Sequence, residues 1–423
     1  MAQFRLLECH EIEEPAIHAM KNKYDCIVIG GGPAGSAAAA IVAQAGFATL
    51  LVEREKVPRL HVGESLMPET YWTLRRLGVL EQLKVSHFTK KFGVQFVSSS
   101  GQESEPFYFD QHDRRECAQT WHVERADFDK LLFDNAAAKG AVCRDKTKVV
   151  DVRLFDAPPH KIRLKTAVGQ TTAIEARVII DATGQQSLLA NRLQLKKNDP
   201  RLRKAAIWGH FAGGSRSSYR NGSVTTILHT EGKRAWFWYI PITSDRVSVG
   251  LVSDSDYLLR DRADPEEVFC EHATACPGMR RRLAEATLSG RLHVAKEFSY
   301  TSRQRAGDGW VSVGDASGFI DPIYSTGVFL ALKSGELAAD CVTEGLRHGD
   351  LSVAQLGKWT AEFEEGVSRF RKLVEAFYTD SFSFADFVEK HPHHRRSLTD
   401  LLIGRAFTPE AASLIDDLGR ALQ

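Results

Sequence analysis

Residues 24–55, YDCIVIGGGPAGSAAAAIVAQAGFATLLVERE, constrain this chain more than any other stretch. A short apolar run passes through glycines, continues as an alanine-rich segment with helical character, and returns to a second apolar run. That is a βαβ unit of about thirty residues. Gly30, Gly32 and Gly35, with Pro33 and Ala34 between them, form a G-x-G-x-x-G motif. Glycine is required where the turn is tight, where backbone approaches a pyrophosphate, and where helix packs closely on sheet. The helix N-terminus adds N–H donors and a favourable dipole. Glu53 ends the second strand, placed to accept hydrogen bonds from a ribose diol.

Residues 26–52 carry no charge, and hydropathy alone would make them a membrane span. Five glycines and prolines between 30 and 35 break any such helix, so the span is rejected. At 423 residues the chain is long enough for two or three domains. A net charge of +1 gives no electrostatic case for nucleic acid, which leaves a small molecule as the default partner. Seven scattered cysteines without a C-x-x-C pair suit reduced intracellular thiols. With a charged N-terminus unlike a secretory signal, the expected location is cytoplasmic. His391, His393 and His394 lack partners at metal-ligand spacing, so no metal is expected.

Nucleotide-type segments recur along the chain. DATG (181–184) and GDA (314–316) each end an apolar run, and Asp315 in the second is placed for a sugar or ribityl hydroxyl. Between them, 205–255 is β-rich and aromatic. The expected fold is therefore α/β (α+β overall): a Rossmann-like βαβ domain interleaved with an antiparallel β-sheet substrate domain, plus C-terminal helices. The expected boundaries are an N-terminal segment at 1–23 and a dinucleotide domain at 24–85, 121–200 and 295–345. The sheet domain takes 86–120 and 201–294, and the helical region 346–423. An apolar stripe through Leu356, Trp359, Phe363, Val367, Phe370 and Val374 marks the last of these.

With Arg125 in HVERADFDKLL, these segments resemble the FAD-dependent oxidoreductases of the p-hydroxybenzoate hydroxylase fold, which implies FAD held by Gly30, Gly32, Pro33, Ala34, Gly35, Glu53, Arg125, Asp315 and Gly327. Within that fold, AWFWYIP is similar to the W-x-W-x-I-P signature of flavin-dependent halogenases at Trp236, Trp238, Ile240 and Pro241. VGESLMP resembles their strap between flavin and substrate at Gly63, Glu64, Ser65 and Pro68. KKFGVQF resembles the segment bearing their active lysine, here Lys91. DPIYSTGV resembles their halide loop at Ser325, Thr326 and Gly327. If residues 91–97 are a strand, Lys90 and Lys91 point to opposite faces and only one can turn inward.

The resemblance implies an enzyme that takes FADH2 from a separate reductase and uses O2 and chloride or bromide to halogenate an aromatic ring through hypohalous acid. An indole wall would keep an organic ring from the flavin oxidant while a small anion reaches it. Tryptophan halogenases carry glutamate before Ser-Thr-Gly; here Tyr324 stands there, and Asp321 replaces a second glutamate common in those enzymes. The expected acceptor is thus phenolic, pyrrolic or tethered to a carrier protein. The competing reading is a single-component FAD monooxygenase or a related FAD-dependent reductase of the same fold.

Overall fold

The computed structural model describes residues 21–216, 220–260, 264–296, 298–408 and 411–422; most of the expected N-terminal segment lies outside them. Two sheets organise the molecule. The first has five parallel strands in the spatial order Trp310–Ser312, Thr171–Asp181, Lys23–Ile29, Thr49–Val52 and Val142–Arg144. The central strand is buried on both faces and therefore reads as a continuous apolar run. Antiparallel strands Thr147–Arg153 and His160–Thr166 extend its long neighbour.

The glycine motif is dictated by contact. Gly30 has φ +111°, and a Cβ there would lie 2.2 Å from the Ala182 carbonyl oxygen. A Cβ on Gly35 would lie 1.9 Å from the Gly30 oxygen, so only glycine lets helix Pro33–Gln44 sit this close to the sheet. At Gly32 a Cβ would meet no atom closer than 3.4 Å. That open space is what a ligand's approach needs.

The second sheet runs Thr287–Lys296, Lys204–Ala212, Arg246–Asp254, Ala235–Pro241, Val224–His229, Gly93–Val97 and Phe107–Tyr108. It is antiparallel except where Val224–His229 runs parallel to Gly93–Val97. That junction exists because the two strands come from sequence stretches more than a hundred residues apart, so no hairpin joins them. Along Ala235–Pro241 alternate side chains enter different cores: Trp236, Trp238 and Ile240 pack with the dinucleotide-type sheet and its helices, Phe237 and Tyr239 with the outer helices. The apolar stripe near the C-terminus lies on helix Thr360–Phe377 and its approach, and joins the core containing helix Pro33–Gln44. Among the described residues no helix is long and apolar enough to cross a membrane, and every cysteine is free.

Candidate active site

A deep cleft opens at the C-terminal ends of the parallel strands, the usual place for ligands in such sheets. Its walls include Gly30, Gly32, Pro33, Ala34, Glu53, Arg125 and Asp315. Strap residues Gly63, Glu64 and Ser65, wall residues Trp238 and Ile240, and loop residues Ser325 and Gly327 also line it. Gly35, Pro68, Lys91, Trp236, Pro241 and Thr326 do not; all six are buried beside it.

Charged side chains at the nucleotide end form one chain. Glu53 accepts from the Gly31 N–H at 3.0 Å and the Glu55 N–H at 3.0 Å. Arg59 lies 3.3 Å from Glu53 and 2.9 Å from Asp129. Asp129 in turn holds Arg125 at 2.8 and 3.0 Å. Arg59 is a half-buried bridge between two carboxylates and also lines the cleft beside Gly32. Arg125 spends one nitrogen on the Val62 carbonyl at 2.5 Å and so fixes the start of the strap. A Cβ on Gly63, where φ is +101°, would come within 2.9 Å of that guanidinium. Burial pushes the Asp315 carboxyl up to about 7 against the opposing pull of Arg125.

The strap is a strand in all but name. Ser65 bridges His122, the Leu66 N–H donates to Trp121 O at 3.0 Å, and the Val123 N–H donates to Glu64 O at 2.7 Å. Strand Thr120–His122 then pairs antiparallel with Thr89–Lys91, with Lys91 opposite Thr120. This pairing settles the register: Lys90 is exposed and Lys91 is 2% exposed. Lys91 Nζ donates to the Leu66 carbonyl at 3.0 Å and lies 5.3 Å from the centroid of the Phe109 ring. Burial alone lowers its pKa to about 7. The amine thus reaches Leu66, the residue that follows the strap residues lining the cleft.

The indoles stand 6.2 Å apart between centroids, on the same face. Trp238 packs over Gly250 on the neighbouring strand, where a Cβ would lie 2.2 Å from the ring, and donates to Ser248 Oγ at 3.1 Å. Trp236 donates to Tyr378 OH at 2.9 Å, and Tyr378 donates to Asp321 at 3.0 Å. Asp321 is buried and pushed up to about 7 by that burial, which the Ile323 N–H and the Tyr378 hydroxyl counter only in part. Tyr378, Gly250, His122 and Thr225 were not singled out from sequence. His122 Nε2 and Ser65 Oγ share the Thr225 hydroxyl at 2.9 and 2.8 Å, and burial together with the Lys91 charge holds His122 neutral.

Ser325 adopts φ +57° and caps helix Thr326–His348. Thr326 is buried and lines a smaller neighbouring pocket, while Ser325 and Gly327 line the cleft. The expected absence of an acidic partner for the C-terminal histidines needs correcting: folding brings Asp417 to within 2.7 Å of His394, beside His391 and His393. Arg420 shares that carboxylate at 2.9 Å, which opposes a divalent cation.

The cleft suits FAD on its own geometry: an open glycine turn at one end, an acid at the second strand's end, and indole and helix N-terminus at the other. The family model described as tryptophan halogenase matches residues 25–110 and 107–383. A 1H-pyrrole-2-carbonyl peptidyl-carrier protein chlorinase of Pseudomonas fluorescens is 29% identical over 416 residues, 93% of this chain and 92% of the relative. A tryptophan 2-halogenase of Chondromyces crocatus is 31% identical over 359 residues, 83% of this chain and 67% of the relative. The solved structure of the flavin-dependent brominase Bmp2 superposes with a TM-score of 0.84 at 28% identity, over 95% of this chain and 98% of that one. With glycine turn, strap, indole wall and buried lysine in one arrangement, the chain belongs to the tryptophan-halogenase family and is an FAD-dependent halogenase that uses halide and O2.

Proposed function

We propose that the acceptor is an electron-rich phenol or pyrrole carried on a carrier protein, that Lys91 delivers the oxidised halogen to it, and that Ser325–Gly327 seat the halide. Bound FAD, once reduced and met by O2, supplies the oxidising equivalents that turn halide into hypohalous acid. The residues of this chain do the rest. The first turn after Ser325 offers backbone N–H groups and the positive end of a 23-residue helix to a small anion. Trp238, Ile240 and the strap close the cleft against an organic ring. Lys91, buried and bonded to the Leu66 carbonyl, is able to hydrogen-bond a neutral oxidant as ammonium or trap it as amine at the pH where its charge is balanced.

The observation carrying this reading is Lys91 itself, 2% exposed and hydrogen-bonded to the strap at Leu66. The carrier-bound substrate is supported by the pyrrolyl-carrier chlorinase, which spans almost all of this chain. Tyr324 in place of a glutamate argues against free tryptophan: its hydroxyl is spent on Leu373 O at 3.3 Å. A separate flavin reductase is proposed on the family resemblance, and a cytoplasmic location on the free thiols. The test is competition among free tryptophan, a free phenol, and pyrrolyl and phenolic acyl groups on a carrier protein, with FADH2 and bromide supplied. The reading expects the carrier-bound ring to be halogenated at least tenfold faster than tryptophan; equal rates would overturn it.

A further inference from the structure

Halogenation by reduced flavin has a fixed proton balance. FADH2, O2, halide ion, one proton and an aromatic R–H give FAD, R–X and two waters. Of the four hydrogens in those waters, two leave the flavin, one leaves the ring and one comes from solvent. Every turnover must therefore bring one proton into the cleft. This inference rests on the halogenase assignment and asks which groups bring it.

Glu64 is the acidic residue of the strap and is among the residues that line the cleft. It is 2% exposed, its Oε2 is buried with no hydrogen-bond partner, and its Oε1 lies 2.5 Å from Nε2 of His210. The contact is direct, so a single hydrogen joins the two side chains. The histidine side chain is 14% exposed against 1% for the glutamate, so the pair runs from a wetter end to a dry one. Backbone geometry is spent on this placement: pairing between Lys204–Ala212 and Thr287–Lys296 shifts register between Trp208 and His210. Such irregularities re-aim a side chain. His210 meets the Trp208 ring edge-on at 5.8 Å, and Trp208 stacks on His293 at 4.7 Å. The other ionisable groups around the pair are His293 and Arg291 on the adjacent strand, Arg125 on the neighbouring Gly63 carbonyl, and neutral His122 behind Ser65.

We propose that Glu64 is the proton donor of the flavin cleft and that His210 positions and recharges it. The shared proton leaves Glu64 for the cleft, and the pair is left as a carboxylate beside a neutral imidazole; His210 then takes one proton from solvent and the pair shares it again. No electrons move in either step.

The test uses Glu64→Gln, which keeps volume and a hydrogen bond to His210 but cannot give up a proton, and His210→Phe, which keeps the ring against Trp208. In the cofactor-free protein labelled at histidine, proton NMR should show a far-downfield resonance for the shared proton, missing from both variants. FAD affinity should stay within about twofold, while single-turnover halogenation falls by about 10²–10⁴ and loses its pH dependence and solvent isotope effect. Absence of that resonance in the wild type, or variant rates within about threefold of wild type at every pH, overturns the proposal. So does a slowdown that merely tracks lost FAD affinity, which would make the pair a structural pin. Wild-type protein giving no halide-dependent product would defeat the halogenase assignment itself, and this inference with it.

Discussion

At the scale of single residues, Lys91 carries a stability signature that is independent of its chemistry. Its pKa falls from 10.5 to about 7 on burial. Between those values the unfolded chain binds a proton that the folded chain does not, so stability rises with pH across that window and is lowest at and below 7. Replacing Lys91 with Met removes the penalty. Urea denaturation should find the variant more stable by a few kcal/mol near pH 7, with the difference shrinking towards zero near pH 10.5. An unchanged pH slope would place the amine in water. The sequence offers only the alternation of Lys90 and Lys91; the inward choice depends on pairing with Thr120–His122, a strand of three residues too short to show a period. The Glu64–His210 pair was equally hidden, because its partners are 146 residues apart and neither lies in the other's motif.

At the scale of elements, glycines set how closely others pack. The Gly30-x-Gly32-x-x-Gly35 turn was legible because its strand, helix and acid are contiguous in sequence. Gly250 was not, since its role is to receive the Trp238 ring from the next strand. Gly250→Ala should displace that indole and cost about 1–3 kcal/mol by overpacking. The same variant should raise the ratio of hydrogen peroxide to halogenated product, measured by peroxide assay beside mass spectrometry; an unchanged ratio would remove Trp238 from the wall. Gly35→Ala tests the other sheet. Its Cβ would meet the Gly30 carbonyl at 1.9 Å, so FAD affinity by fluorescence titration should fall at least tenfold.

At the scale of the whole molecule, the order of segments revealed two interleaved units because apolar nucleotide-type runs return three times around the aromatic block. What the order did not reveal is how the C-terminal helices tie into the wall. Helix Thr360–Phe377 ends at Tyr378, whose hydroxyl joins Trp236 to buried Asp321. Tyr378→Phe leaves the Trp236 N–H and one Asp321 oxygen without their partner, and should lower stability by about 1–3 kcal/mol in denaturant melts; a neutral result would mean water replaces the hydroxyl. The amphipathic stripe announced a packed helix, but nothing local in sequence names the residue at its end.

The central claim is that oxidant forms in one chamber and is spent in another, with Lys91 between them. The most direct measurement is product mass spectrometry after supplying protein with FADH2, O2, a phenolic or pyrrolic ring and bromide, for wild type and Lys91→Ala side by side. The account predicts a ring brominated only when bromide is present, with that product lost in Lys91→Ala while FAD binding is retained. A hydroxylated ring formed without bromide, or full bromination by Lys91→Ala, would contradict it.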